Sequence, residues 1–170
     1  ELCSVNLSAL SLCDEPFKAY VLDRLQTTGF PKHKLCFEVT ETAAIANLCR
    51  ATDFIDSLRD VGCRFALDDF GSGLSSFAYL RNLPVDMVKI DGAFVRNIAN
   101  NRTDRMMVKS ICDIVSMMDK QTTAEYVETA ESLEVLKQIG VDFVQGYHLG
   151  IPAPLEQLDT PDDTVVYLKH

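Results

Sequence analysis

Six short apolar or β-branched runs recur along this chain, each carrying a polar side chain at or near its end: Asn6, Glu38, Asp68, Lys89, Glu125 and Gln145. Their successive spacings are 32, 30, 21, 36 and 20 residues. Each interval holds one strand and one returning helix, the unit from which parallel sheets are assembled, and no tight-hairpin signal joins any pair. Polar groups gathered at strand ends fit a β/α barrel, whose reactive residues stand on the carboxyl face. A doubly wound open sheet is the competing architecture. It would ordinarily carry a glycine-rich phosphate turn, which this sequence lacks. The expected fold is therefore α/β, a TIM-type barrel with six strand–helix units where closure takes about eight, hence truncated.

The densest stretch is Arg64 to Ser76, R-F-A-L-D-D-F-G-S-G-L-S-S. Phe65 to Leu67 is too short for a helix and reads as a buried strand that empties into a tight turn. Asp68 and Asp69 sit at its mouth, and two neighbouring carboxylates repel unless a cation, a shared proton or solvent relieves them. A hard divalent metal relieves them best. Gly71 and Gly73 let the backbone double back at once. A D-D-x-G segment can equally be a plain turn whose aspartates bond local amides. Its recurrence among five other polar-tipped strands favours a site.

Along the rest of the chain, Ser4–Ser8 reads as a strand with Asn6 opposite Val5 and Leu7. Asp14 suits an N-cap for a helix that Gly29 ends, and Lys34–Thr40 is a strand carrying Glu38. Thr42 is the expected cap of a helix whose Ile45, Leu48, Ile55 and Leu58 form an apolar stripe up to Gly62. After the acidic pair come a short helix at Ser75–Leu80, a strand at Asp86–Asp91 and one or two helical turns at Phe94–Ile98. Thr103–Met118 is an amphipathic helix with Met107, Ile111, Ile114 and Met118 on one side, the methionines being core filler and not a cofactor box. Thr122–Val127 is a strand bearing Glu125, Ser132–Ile139 a helix closed by Gly140, and Phe143–Tyr147 the last strand.

With 170 residues and 47% hydrophobic content the chain can bury one domain's core, and residues 1–170 are expected to form a single domain. A net charge of −9 without any Lys/Arg stripe argues against a nucleic-acid polymer or an anionic membrane as partner. An anionic substrate would then need a metal or a few placed cations. The six cysteines show no C-x-x-C pair or metal spacing and read as reduced thiols in a cytoplasmic setting. No apolar run approaches a membrane span, so membrane contact is not expected from this segment. The chain opens at Glu1 inside a strand-like run and reads as an excised piece of a longer protein.

Six motifs in order, V-N-L-S (5–8), F-E-V-T-E (37–41), D-D-F-G-S-G (68–73), V-K-I-D (88–91), A-E-Y-V-E (124–128) and Q-G-Y (145–147), resemble the EAL family of cyclic di-GMP phosphodiesterases. The likeness runs from Val5 to about Pro152. It implies a modified TIM barrel and metal-dependent hydrolysis of cyclic di-GMP to linear pGpG. It implies that Asn6, Glu38 and Asp68 ligate one Mg²⁺ or Mn²⁺, and that Asp68, Asp69 and Glu125 ligate a second. Lys89 would hold or polarise the attacking water, Glu128 and Gln145 would order the surroundings, and Glu41 would anchor the loop after Asp69. Catalytic roles would thus fall to Lys89, Glu125, Glu128 and Asp69. The residue types suit the chemistry: a phosphodiester is already anionic, and a pair of hard cations about 4 Å apart neutralises attacking and leaving oxygens. Carboxylates and amides suit such ions, whereas thiolates and imidazoles suit softer ones.

The name motif of that family, Glu-Ala-Leu, lies upstream of V-N-L-S and outside this chain, so the isolated piece is expected to be inactive and the intact parent active. Two unclosed strand edges would remain. Tyr126 stands where the family usually has glycine, and by alternation its ring should point away from Glu125 toward the helices. Ile151 replaces a usual basic residue, and His148 a usual aromatic. The resemblance further implies homodimers through Ser72–Asn82, and cyclase or sensor domains upstream in a parent that could be membrane-anchored. The alternatives are a cyclic di-GMP binding module without turnover, and a metal-dependent barrel lyase sharing only the architecture.

Overall fold

In a computed structural model the described residues are 2–71, 77–152 and 154, with the backbone of 165–167. The chain forms two compact units, residues 1–87 and 88–170.

In the first unit the order is β1 (Cys3–Leu7), α1 (Ala9–Leu12), α2 (Glu15–Thr27), β2 (Leu35–Thr40), α3 (Glu41–Ala46), α4 (Leu48–Arg59), β3 (Arg64–Phe70) and α5 (Phe77–Leu80). The helices begin where short polar side chains can satisfy free amides: Asp14 accepts from the amide of Phe17, Thr40 from Ala43 and Asn47 from Arg50. β1, β2 and β3 pair in parallel, as the strand-plus-helix intervals require. β2 and β3 are largely buried, because parallel strands are covered on both faces. Their core is aromatic, with Phe37 and Phe65 at 5.4 Å between ring centroids and Phe17 of α2 stacked on Phe54 of α4 at 6.4 Å.

In the second unit, β4 (Met87–Ile90, starting on the last residue of the first unit) leads to α6 (Gly92–Val95), α7 (Arg102–Ser116), β5 (Gln121–Ala124), α8 (Ala130–Ile139), β6 (Phe143–Gln145) and β7 (Val165–Tyr167). β5 and β6 are parallel, and β7 runs antiparallel to β6. α8 starts on the Thr129 cap and stops at Gly140, whose φ of 92° is the left-handed conformation glycine supplies at a helix end.

One device appears in both units at the amino ends of strands. Asp86, just ahead of β4, accepts from the amide of Phe65 at 2.8 Å, donates its own amide to the Phe65 carbonyl at 2.9 Å and pairs with Arg59. Asp142, just ahead of β6, accepts from the amide and hydroxyl of Thr122 at 2.7 and 2.9 Å. The sequence carries its trace as V-D-M-V and V-D-F-V.

Several expectations are corrected. The cap of the helix after β2 is Thr40 rather than Thr42, and the helix breaks at Asn47, leaving Ile45 46% exposed and outside the stripe. On α7 the buried face is Val108, Ile111, Cys112 and Val115, while Met107 is 46% exposed and so is not core filler. β5 stops at Ala124, so Glu125 lies one residue past the strand instead of on it. β6 ends at Gln145, and β7 was not anticipated. Of the expected helix 75–80, residues 77–80 are helical and the first two lie outside the described residues, as does Gly73.

Candidate functional site

Each polar-tipped strand places its functional side chain near the carboxyl end. In the first unit, Asn6 is level with Glu38, and Glu38 with Ala66. Residues level with one another in a parallel sheet point to the same side, and Asp68 lies two residues beyond Ala66. Asn6, Glu38 and Asp68 therefore share one face of the β1–β2–β3 sheet. Glu38 is buried, Asp68 half-buried and Asn6 exposed. This set of carboxylate and amide oxygens, with no thiolate or imidazole among it, fits a hard divalent cation.

The backbone turns sharply right after Asp68. Asp69 takes φ 56°, a left-handed conformation that aspartate tolerates better than most residues, and its amide donates to Asp68 Oδ1 at 3.1 Å. Gly71, at φ 99°, completes the turn. Its amide donates to Glu41 Oε2 at 3.1 Å, and the Tyr79 hydroxyl donates to Glu41 Oε1 at 2.6 Å. Glu41 is buried at the first position of α3, where a carboxylate is favoured by the helix amino end. Burial of the Tyr79 phenol and, after it, the bond to Glu41 and that residue's negative charge push the phenol's pKa well above its ordinary value. Tyr79 did not stand out in the sequence, where an aromatic next to Leu80 reads as core.

In the second unit, Lys89 sits inside the fully buried β4 and pairs with Glu125 at 2.8 Å, their side chains only 7% and 12% exposed. A lysine in that setting needs such a partner, since an isolated buried ammonium is costly. The amide of Glu125 donates to the Ile90 carbonyl at 3.3 Å, which ties the end of β5 to β4. Val127 donates to the Gln145 carbonyl and accepts from the His148 amide, each at 3.0 Å. Gly146 lies so close to Val127 that any Cβ there would run into its backbone. The A-E-Y-V-E and Q-G-Y motifs are thus stitched together, and Glu128 and Gln145 are exposed while Lys89 and Glu125 are buried.

Tyr126 adopts φ 55°, the conformation in which glycine would be unstrained. Its ring lies on Gly92 at the start of α6, with the Arg96 guanidinium 4.3 Å from the ring centroid. The ring thus faces α6, as expected, but the left-handed turn past the end of β5 aims it there and not strand alternation.

The family model for the EAL domain matches residues 1–152. The chain is 47% identical over 161 residues to the cyclic di-GMP phosphodiesterase PdeB of Shewanella oneidensis, covering 92% of this chain and 19% of that protein. It is 41% identical over 152 residues to the cyclic di-GMP phosphodiesterase PdeF of Escherichia coli, covering 89% and 20%. It thus spans about a fifth of the length of these relatives. Among solved structures, the PaMucR phosphodiesterase in its c-di-GMP complex matches with a TM-score of 0.85 at 33% identity, over 92% of this chain and 64% of that one. The fold is therefore α/β of the TIM-barrel type, represented here in part. Ordered motifs, parallel strands with polar carboxyl ends, and these likenesses converge on one conclusion: the chain belongs to the EAL-domain family.

Proposed function

We propose that the protein containing this chain hydrolyses one phosphodiester bond of cyclic di-GMP, giving linear pGpG, with Mg²⁺ or Mn²⁺ as cofactor. The observation that carries this reading is the buried Lys89–Glu125 pair at the carboxyl ends of β4 and β5, in a family whose relatives are named for this activity. A buried ion pair adds little to stability over apolar packing of the same volume, so its place at the strand ends is better explained by a site than by the fold.

Asn6, Glu38 and Asp68 are the proposed holders of one ion, and Asp68, Asp69 and Glu125 of another. When bound, such ions supply positive charge against the phosphate oxygens and make water more nucleophilic. The protein's own part is to orient. Lys89, held by Glu125, holds or polarises the attacking water, and Glu128 and Gln145 order the solvent and substrate around it. Glu41 holds the turn after Asp69 in place. Catalysis here would rest mainly on positioning and on charge already in place before the substrate arrives.

Turnover is assigned to the complete protein and not to the isolated 170 residues, which cover 64% of the solved PaMucR chain. Cytoplasmic action, attached cyclase or sensor domains and self-association through residues 72–82 belong to the same reading. Residues 72–76 lie outside the described residues. Among the described residues no helix is long and apolar enough to cross a membrane.

The test is product analysis of the complete gene product with cyclic di-GMP and Mg²⁺ or Mn²⁺, beside its Asp68→Asn variant. The expected outcome is pGpG from the parent and a loss of at least about a hundredfold in the variant, since preorganised electrostatic groups are typically worth that much. Normal turnover by the variant would refute the role of Asp68. Tight binding of cyclic di-GMP without product from the parent would establish a binding module instead.

A further inference from the structure

We propose that Tyr79 is a positioning residue for the Asp68–Asp69 turn, acting through Glu41: its phenol fixes one carboxylate oxygen so that the other stays on the amide of Gly71. This rests on the reading of Asp68 and Asp69 as cation ligands. Asp69 and Gly71, at and just past the end of β3, are left-handed, with φ of 56° and 99°, and the register with β2 stops at Asp68, so pairing with β2 does not dictate where the Asp69 carboxylate stands. What holds the Gly71 amide is a side chain 30 positions upstream. A glutamate side chain has three torsions, and each hydrogen bond to its carboxylate narrows them. The Tyr79 hydroxyl supplies one such bond at 2.6 Å, in a site where Glu41 is 3% exposed.

The local packing delivers the phenol. Phe70, at the end of β3, and Phe77, at the start of α5, lie 5.5 Å apart between ring centroids. Their contact seats α5 so that Tyr79 reaches Glu41. A neutral donor also suits the place. It fixes the carboxylate without adding a positive charge beside residues proposed to hold cations. Burial and the neighbouring carboxylate keep the phenolic proton on, so the donor persists across the neutral range.

The experiment titrates Mn²⁺ into the complete gene product and follows the free-ion signal by electron paramagnetic resonance, for the parent, Tyr79→Phe, Glu41→Gln and the double variant. Steady-state kinetics on cyclic di-GMP and thermal melts accompany it. Phenylalanine keeps the ring and deletes only the donor. The expected result is a Mn²⁺ half-saturation raised about three- to tenfold in Tyr79→Phe, a fraction of the cost of losing one hydrogen bond to a charged group, because the bond acts on the ion only through Glu41 and the turn. The KM for cyclic di-GMP should stay within about twofold, and the double variant should be no worse than Glu41→Gln alone. Unchanged Mn²⁺ uptake in Tyr79→Phe, even with a lowered melting temperature, overturns the proposal and leaves the phosphodiesterase reading intact. So does a double variant in which the two effects simply add. A parent that takes up no Mn²⁺ overturns the metal reading itself, and this role with it.

Discussion

Tyr126 shows how a single position can be readable in identity and unreadable in consequence. Its departure from the usual glycine is visible in the motif A-E-Y-V-E, but its φ of 55° and its seat on Gly92 are not. A left-handed non-glycine residue costs roughly 1–2 kcal/mol. The ring offsets part of this through its contact with Arg96, worth about 0.5–1 kcal/mol at a partly exposed site. Gly92 is then needed because a methyl group there would collide with the ring. Gly92→Ala is expected to destabilise the fold by about 1–3 kcal/mol, the usual cost of overpacking. In a Tyr126→Gly background the same change should cost less than about 0.5 kcal/mol, since the three atoms nearest to the added methyl all belong to the Tyr126 side chain. Urea denaturation of the two single variants and the double closes this cycle, and equal costs in both backgrounds would contradict it. Lys89 is a parallel case: a lysine among Met87, Val88 and Ile90 announces a buried charge, but its pairing with Glu125 is set by the β4–β5 neighbourhood.

Elements came out of the sequence more faithfully than their ends. The parallel strands followed from spacing because an interval of one strand and one helix leaves little other topology. Boundaries moved where local capping chemistry overrode periodicity: Asn47 accepts from Arg50 and starts α4 afresh, which turns Ile45 outward. On α7 the buried stripe sits one position later than the methionine pattern implied, because flexible methionine is tolerated outside a core as readily as within it. The antiparallel β7 had no such interval to betray it; it pairs along β6, which would otherwise present an open edge. Asp86 anchors the start of β3 within the first unit, and Asp142 fastens the start of β5 to that of β6 within the second, at the amino ends of strands where a barrel's polar residues serve stability. Asp142→Ala strips the Thr122 amide and hydroxyl of their acceptor and should cost about 1–3 kcal/mol, with the activity per folded molecule unchanged. Chemical denaturation alongside a specific-activity assay checks both halves of that expectation.

Over the 170 residues as a whole, a net charge of −9 opposes an anion, so the proposed binding of cyclic di-GMP would have to draw on charge concentrated at the site and not on the general field of this chain. Alkaline stability is also a property of the whole chain, because burial raises the pKa of acidic groups in both units. The Cys112 thiol is pushed up to about 11 chiefly by burial, against an ordinary value near 9.0, and Tyr79 is raised as well. Above pH 9 the unfolded chain therefore sheds protons that the folded chain keeps, and stability falls. The contribution from Cys112 is fully present below pH 9 and is lost as the pH rises through about 11. Urea midpoints should decline over that window, and Cys112→Ala should flatten the decline; a midpoint indifferent to pH between 9 and 11 would contradict it. The order of elements, the parallel topology and the polar residue at each strand end were determined by the sequence itself, because hydrophobic periodicity and interval length act locally along the chain. What tertiary structure decided were the partners: Glu125 for Lys89, Glu41 for Tyr79 and Gly71, Gly92 for Tyr126. Those pairings join residues far apart in the chain, and only the packing that brings strand ends and loops together can choose among the many acids and aromatics that could have served.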